Sequence, residues 1–305
     1  MKIITVSLSA GLIIFQLSAV NCFAKGAGSS AGENLLRPVS AKSAAMAHAH
    51  TALSGDALSL HNNPAGLASL KNLEILTMYQ KGLDEDNFAS VVLGKNFSFG
   101  TCGASIQYYD TGKIELYDLN GNKINKTGQK DIIANVGIGI PVFENFSAGL
   151  NAKTISSEIF GNNASAFAVD AGIQYAGQVN IGLAMQNFGS ELTYISAGDP
   201  LPKKITLGAS YTKELTDHSI TAALDLPYYL NEEETLGLIG IEYSYNHLFA
   251  VRAGYRANLS DSSTDDEGAI TGGIGFNWNN YSLDYAISIT EDLSNPHYIS
   301  AGMKF

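Results

Sequence analysis

Six histidines, His48, His50, His61, His218, His247 and His297, are the side chains of this 305-residue sequence best suited to acid–base or metal chemistry. A hydrolase would need one of them beside a serine or aspartate. His218 and His247 fall at short turns between apolar segments, and none of the six stands among the acids of the long connections. No Gly-x-Ser-x-Gly elbow joins a strand to a helix. An enzyme is therefore not expected. His48 and His50 are two apart and point in different directions on a helix. With His61 they could complete a metal site, but polar residues facing an enclosed interior is the preferred reading, and neither metal nor cofactor is expected. The acidic run Asp261-Ser262-Ser263-Thr264-Asp265-Asp266-Glu267 lacks the ligand spacing and central glycine of a calcium loop. Gly272-Gly273-Ile274-Gly275 lies inside a strand pattern with no following helix, so these are strand glycines and not a phosphate cradle.

The remaining chemistry is that of charges that need a wet or paired environment. The chain holds 18 Lys+Arg against 29 Asp+Glu, a net charge of -11, which argues against a nucleic-acid partner. Charged residues make up only 15% and apolar residues 45%, so disorder is excluded. Glycine (31) and aromatics (15 Tyr, 13 Phe, 1 Trp) outweigh the 7 prolines and point to strands and turns.

The first segment reads as an address. Lys2, the apolar run Gly11-Leu12-Ile13-Ile14-Phe15 and the end Cys22-Phe23-Ala24 form a secretory signal, residues 1–24, cleaved after Ala24. The alternative is lipoprotein processing at Cys22, where Asn21 stands in place of the expected small residue. After cleavage Cys102 is the only cysteine, so no internal disulfide or cysteine cluster is expected.

Period-two alternation then runs almost to the last residue, and no apolar run of helical membrane-spanning length follows the signal. Tyr281, Leu283, Tyr285, Ile287 and Ile289 alternate with polar or small residues, as do Val179, Ile181, Leu183 and Met185. Fourteen such segments begin near residues 71, 87, 97, 130, 145, 164, 178, 203, 217, 235, 248, 268, 280 and 296. Connections after the even segments are short, and those after the odd ones are mostly longer and more acidic. This alternation in register with strand parity predicts an all-β, fourteen-stranded antiparallel transmembrane barrel over residues 71–305. A secreted sandwich or propeller would alternate too, but has no reason to keep that parity. The last strand places Ile299, Ala301, Met303 and Phe305 on one face, and a terminal Phe of this kind resembles the signal read by the barrel-assembly machinery.

If the apolar face meets lipid, the other face lines the lumen and carries Lys153, Asp170, Lys204, Asp225, Arg252, Arg256, Asp284 and Lys304. These charges either pair across the interior or contact a solute, and Asp225 with Arg252 is the first pair expected. Residues 25–34 are Gly- and Ser-rich and read as flexible. Residues 35–70 are Ala-rich and partly helix-compatible, suited to fill the lumen as a hatch. Asp56 is expected to start a short helix and Asn63-Pro64 to break the chain into a turn.

The run Asp56-Ala57-Leu58 and Asn62-Asn63-Pro64-Ala65-Gly66-Leu67, with Thr51-Ala52-Leu53 before it, resembles the start of PorV/PorQ family outer-membrane proteins. That family belongs with the FadL-type fourteen-stranded barrels, whose N-terminal hatch carries a similar Asn-Pro-Ala turn. The chain departs from the pattern at Ala-His48-Ala-His50, where a Gly-rich stretch is usual, and at His61, where an aromatic is common. The resemblance implies one of two roles. FadL-type members admit hydrophobic molecules past the hatch and through an opening in the wall. PorV-type members serve type IX secretion by binding translocon and cargo proteins. The implied partners are outer-membrane lipid, the barrel-assembly machinery, and a hydrophobic small molecule or secretion-system proteins. The implied location is the bacterial outer membrane, with both termini periplasmic.

Overall fold

The computed structural model describes residues 29–82, 86–117, 122–260, 268–289 and 295–305. The signal segment, with the Ala24 cleavage and the Cys22 alternative, most of the Gly/Ser stretch, Asp84-Glu85 and the acidic run 261–267 lie outside the described residues.

Among the described residues eighteen strands follow in chain order. They are β1 (Glu74–Lys81), β2 (Asn87–Phe97), β3 (Gly100–Asp110), β4 (Lys113–Tyr117), β5 (Lys123–Thr127) and β6 (Gln129–Phe143). Then come β7 (Phe146–Ile159), β8 (Asn162–Tyr175), β9 (Asn180–Gly189), β10 (Leu192–Thr193), β11 (Gly198–Asp199) and β12 (Lys204–Glu214). The last six are β13 (His218–Tyr229), β14 (Glu234–Tyr245), β15 (Phe249–Asn258), β16 (Ala269–Trp278), β17 (Tyr281–Ile289) and β18 (His297–Lys304). Fourteen of them form one closed barrel, sealed where β1 pairs antiparallel with β18 from Glu74↔Lys304 to Lys81↔His297. The other four make two small hairpins, β4–β5 and β10–β11, inside stretches expected to be plain connections.

Closure follows from the alternation. Residues of one parity point outward and stay exposed: Ile181, Leu183 and Met185 on β9, and Leu283, Tyr285 and Ile289 on β17. The opposite parity turns inward and is buried, as at Ser210, Asp225 and Asp284. The exposed apolar band is bounded by aromatics at both ends. Phe143, Phe146, Tyr245, Phe249, Trp278 and Tyr281 flank the short turns, while Tyr79, Tyr108, Tyr228, Tyr255 and Tyr285 stand toward the other end.

The parity rule for connections has one exception. Between β7 and β8 the chain turns through only Phe160 (φ 49) and Gly161 (φ 88), at the end where longer connections were expected. Two successive positive φ values define the type I′ hairpin turn, and Gly161 enters that region without steric cost.

Residues 33–70 run lengthwise inside the barrel. A 3-10 turn (Glu33–Leu36) leads to α1 (Ala41–Ala45), α2 (Ser59–Asn62) and a second 3-10 turn (Pro64–Ser69). The Ser40 hydroxyl caps α1 by accepting from the Ser43 amide at 3.2 Å. Asp56 does not start a helix as expected: α2 begins at Ser59, because the Asp56 carboxylate is taken by Lys42 and His50. Asn63 breaks the chain as expected, extended at φ −155, with its side chain accepting from the Ala65 amide at 3.2 Å.

The two ends of the described chain do not share one side. Phe305 donates its amide to Leu73 O at the short-turn end. Ser29 and Ser30 bond Glu232, and the Ala31 amide bonds Pro200 O, at the opposite end. An even strand count brings β1 and β18 to one end as anticipated, and the lengthwise course of 29–70 places Ser29 at the other.

Candidate functional site: the barrel interior

The interior is built around glycines that bring the wall against the backbone of the N-terminal segment. Gly139, Gly149 and Gly172 stand side by side on β6, β7 and β8, and Gly182 faces Gly208 on β9 and β12. A Cβ at Gly139 would come within 2.6 Å of Pro64 O. One at Gly149 would collide with the Pro64–Ala65 peptide, at Gly172 with Asn63 Oδ1, and at Gly182 with Thr51 O. The Asn63-Pro64-Ala65 turn thus lies directly on bare wall. Its polar groups are satisfied there: Asn63 Nδ2 donates to Thr51 O at 3.0 Å and to Ile173 O at 3.1 Å. Asn62 Nδ2 donates to Leu58 O at 3.1 Å, and Gly66 leaves only enough room for the Ser59 hydroxyl, 2.7 Å from where its Cβ would be. Pro64, Ala65 and Leu67 are buried.

On the outer side of the same wall an apolar groove of about 460 Å³ is lined by Ile138, Ile140, Leu150, Ile173, Leu183 and Met185, with Gly149 and Gly172 in its lining. Here only backbone separates the groove from the Asn63-Pro64 turn.

All the charges expected to line the interior have inward parity, and most are paired. Lys153 Nζ lies 2.8 Å from Asp170 and 2.7 Å from Asn187 Oδ1. The Asn187 amide donates to Asp170 at 2.8 Å, holding a register shift between β8 and β9 in which Asn187 takes φ 64. Lys304 reaches Glu74 at 3.4 Å. The anticipated pair Asp225–Arg252 does not form. Strand β14 lies between their strands, and its Glu242 stands opposite Arg252 in register, whereas Asp225 stands opposite Leu238. Arg252 therefore donates to Glu242 at 2.5 Å and to Asp284 at 2.6 Å. Asp225 instead accepts the backbone amides of His50 at 2.9 Å and Thr51 at 2.8 Å, pinning the N-terminal segment to β13. Lys204 and Arg256 have no ion pair among the described residues. Ile299 and Phe305 face outward and exposed, as their parity implies.

The sequence reading missed Lys42, Glu74 and Glu242, and it placed His50 in the interior without its partner Asp56. Glu242 was recoverable, being a charge at inward parity on β14. The others depend on how the segment folds. Lys42 and His50 both reach Asp56, at 3.2 and 3.4 Å, and Glu74 accepts the Ala57 amide at 2.6 Å. Burial opposes the Asp56 charge, but Lys42 and then His50 outweigh it and hold this carboxyl below its ordinary range.

Breaking the Lys153–Asp170 pair leaves one buried carboxylate uncompensated. Lys153→Met should lower barrel stability by about 3 kcal/mol, read as an earlier urea midpoint in detergent, while K153M/D170N recovers part of the loss. An unchanged midpoint in the single variant would refute a structural role for the pair.

Polar cavities lie on both sides of the segment. Toward the long connections is one of about 200 Å³ with His48, His61, Lys204, Asp225 and Arg256 in its lining, joined through His48 and Arg256 to a second of about 320 Å³. Toward the short turns is one of about 420 Å³, lined by Lys42, Asp56, Glu74, Glu242, Arg252 and Asp284 among others. The His61 ring bonds Ser105 at 2.9 Å and faces Gln107 Nε2 at 3.3 Å, so it does not converge with His50, which faces Asp56. The five letters Gly28-Ser29-Ser30-Ala31-Gly32 match a nucleophile spacing, but Ser30 is held by Glu232 and Asn231 and no histidine bonds it.

Burial, then Arg256 and Lys204, push the His48 pKa down to about 3; burial and Lys153 do the same to His61. The unfolded chain titrates each near 6.5. These histidines stay neutral when folded while the unfolded chain takes up protons. Stability should therefore fall as pH drops from about 6.5 toward 3, by up to about 1.4 kcal/mol per pH unit per histidine. Thermal melts across this window should show the decline, and H48Q/H61N should flatten it; an equal slope in that variant would contradict the assignment.

No family model and no curated protein matches this chain. Solved structures do match. The CymD monoaromatic hydrocarbon channel superimposes with a TM-score of 0.63 at 12% identity, over 88% of this chain and 97% of that one. The toluene transporter TbuX of Ralstonia pickettii gives 0.59 at 15%, over 93% and 99%. A FadL homologue from Pseudomonas aeruginosa gives 0.55 at 10%, over 87% and 98%. At these identities the likeness is one of fold, and the all-β closed barrel of this chain is the fold those channels and the FadL homologue share.

Proposed function

We propose that this protein is an outer-membrane barrel that passes a hydrophobic small molecule, with residues 35–70 as its hatch. The observation that carries the reading is the pairing of two surfaces. Outside, a closed wall presents an apolar band edged by aromatics, the surface a bilayer requires. Inside, the lumen is occupied by the chain's own N-terminal segment, with cavities above and below it. The likeness to hydrocarbon and toluene channels supports transport as the use of this arrangement. The PorV/PorQ branch and its secretion role draw no support from these neighbours.

Passage then requires the hatch to yield, since it separates the two cavities. The glycine wall behind Asn63-Pro64, with the apolar groove on its far side, is the thinnest barrier between lumen and lipid and the place where an apolar solute would leave. The test is uptake of labelled toluene by cells whose lipopolysaccharide-bearing outer membrane holds this barrel. Uptake should exceed that of cells carrying an empty vector and should saturate; equal rates would overturn the reading.

A further inference from the structure

We propose that the 200 Å³ cavity at the long-connection end is a binding site for a compact organic anion, a carboxylate on a body no larger than a single ring. The inference goes beyond the transport reading: it assigns a site for a second class of ligand and leaves the apolar solute of that reading unchanged.

Lys204 and Arg256 both line this cavity, and neither has a carboxylate within 4.0 Å among the described residues; the Tyr229 ring centroid lies 5.9 Å from the Lys204 ammonium. Two acids share the lining: Glu33, and Asp225, whose Oδ2 accepts two backbone amides and whose Oδ1 has no hydrogen-bond partner. Thr206, 3% exposed and also in the lining, has a hydroxyl without a partner. Lys204 is half-buried and Arg256 exposed; a carboxylate between them and the buried Thr206 hydroxyl would take charge-assisted hydrogen bonds that a hydrocarbon cannot accept.

Leu35, Leu238 and Pro227 supply an apolar side for the body of the ligand. Size sets the limit. A cavity of about 150 Å³ already admits benzene, so this one holds a ring bearing a carboxylate and has no room for a long chain. The adjoining 320 Å³ space, which shares Arg37, His48 and Arg256, gives the way in.

The test is calorimetric titration of the purified full-length barrel in neutral detergent with benzoate, and with toluene and benzylammonium as uncharged and cationic counterparts. Benzoate should bind saturably, at least about tenfold tighter than either counterpart. Lys204→Met and Arg256→Met should each weaken benzoate about tenfold, and Lys204→Arg should retain it. Heat-modifiability on gels verifies that each variant is folded. Should a Met variant not fold, the ranking of the three solutes on the unaltered barrel still decides. Absence of benzoate binding, equal affinity for toluene, or folded Met variants that bind as the parent does would each overturn the proposal. The transport reading fails separately: cells that take up toluene no faster than the empty-vector control refute transport while benzoate binding stands.

Discussion

Deleting residues 41–60 should convert the barrel from a closed to an open pore. This stretch contains α1, the Lys42–Asp56–His50 cluster and the amides that Asp225 holds, and it separates the cavities at the two ends. The wall itself closes through the β1–β18 ladder and does not need the segment for its hydrogen bonds. The deleted form should still insert and shift on heating in gels. In planar bilayers it should show discrete open-channel currents where the intact protein shows none resolved. A lumen lined by Glu242, Arg252, Asp284 and Asn135 would then be a wet polar channel. A deletion variant that folds yet stays silent would mean that something other than this segment closes the pore.

The second large effect is expected at the glycine wall. Gly149→Val places a side chain where the Pro64–Ala65 peptide lies, and Gly172→Val where Asn63 Oδ1 lies. At Gly149 the clash is with backbone, which cannot give way as the far end of a flexible side chain can, and at Gly172 it is with a carboxamide hydrogen-bonded to Thr51, Ile173 and Ala65, so in both the turn must lift off. Either change should cost about 3 kcal/mol or more of the segment's packing. Residues 60–70 should become sensitive to protease in a folded barrel. Gly272→Ala is the control, because its nearest neighbour would lie 3.8 Å away. If the Val variants resist protease like the control, the turn does not rest on this wall.

Much of the barrel was legible because a strand's periodicity is also its orientation: one apolar residue in two fixes both that a strand exists and which face it shows. Phe249, Val251 and Tyr255 could be placed outside and Arg252 and Arg256 inside from their parity alone. Pairing across the lumen was not legible in the same way. Arg252 meets Glu242 because two neighbouring strands align in register, and that register is set by turns such as Asn246-His247 whose length was read a residue short. The N-terminal segment has neither period. Its helices are five and four residues long, and its course is held by tertiary hydrogen bonds from Asp225, Gln174, Ser300 and Thr271 that local sequence does not encode. The Asn63-Pro64 break was legible because proline acts locally. The glycines that receive it were visible as small inward residues, but their purpose appears only when Pro64 is seen against Gly149.

The most direct test of the account is to tie the hatch to the wall and follow toluene uptake. A Cβ at Gly94 would lie 3.2 Å from that of Ala57, so Ala57→Cys with Gly94→Cys, in a chain carrying Cys102→Ser, is placed for a disulfide. Passage through the lumen predicts that oxidised cells take up toluene at the empty-vector rate and that a thiol reductant restores uptake. Equal uptake in the oxidised and reduced states would contradict it, since solute would then cross without moving the segment that fills the barrel.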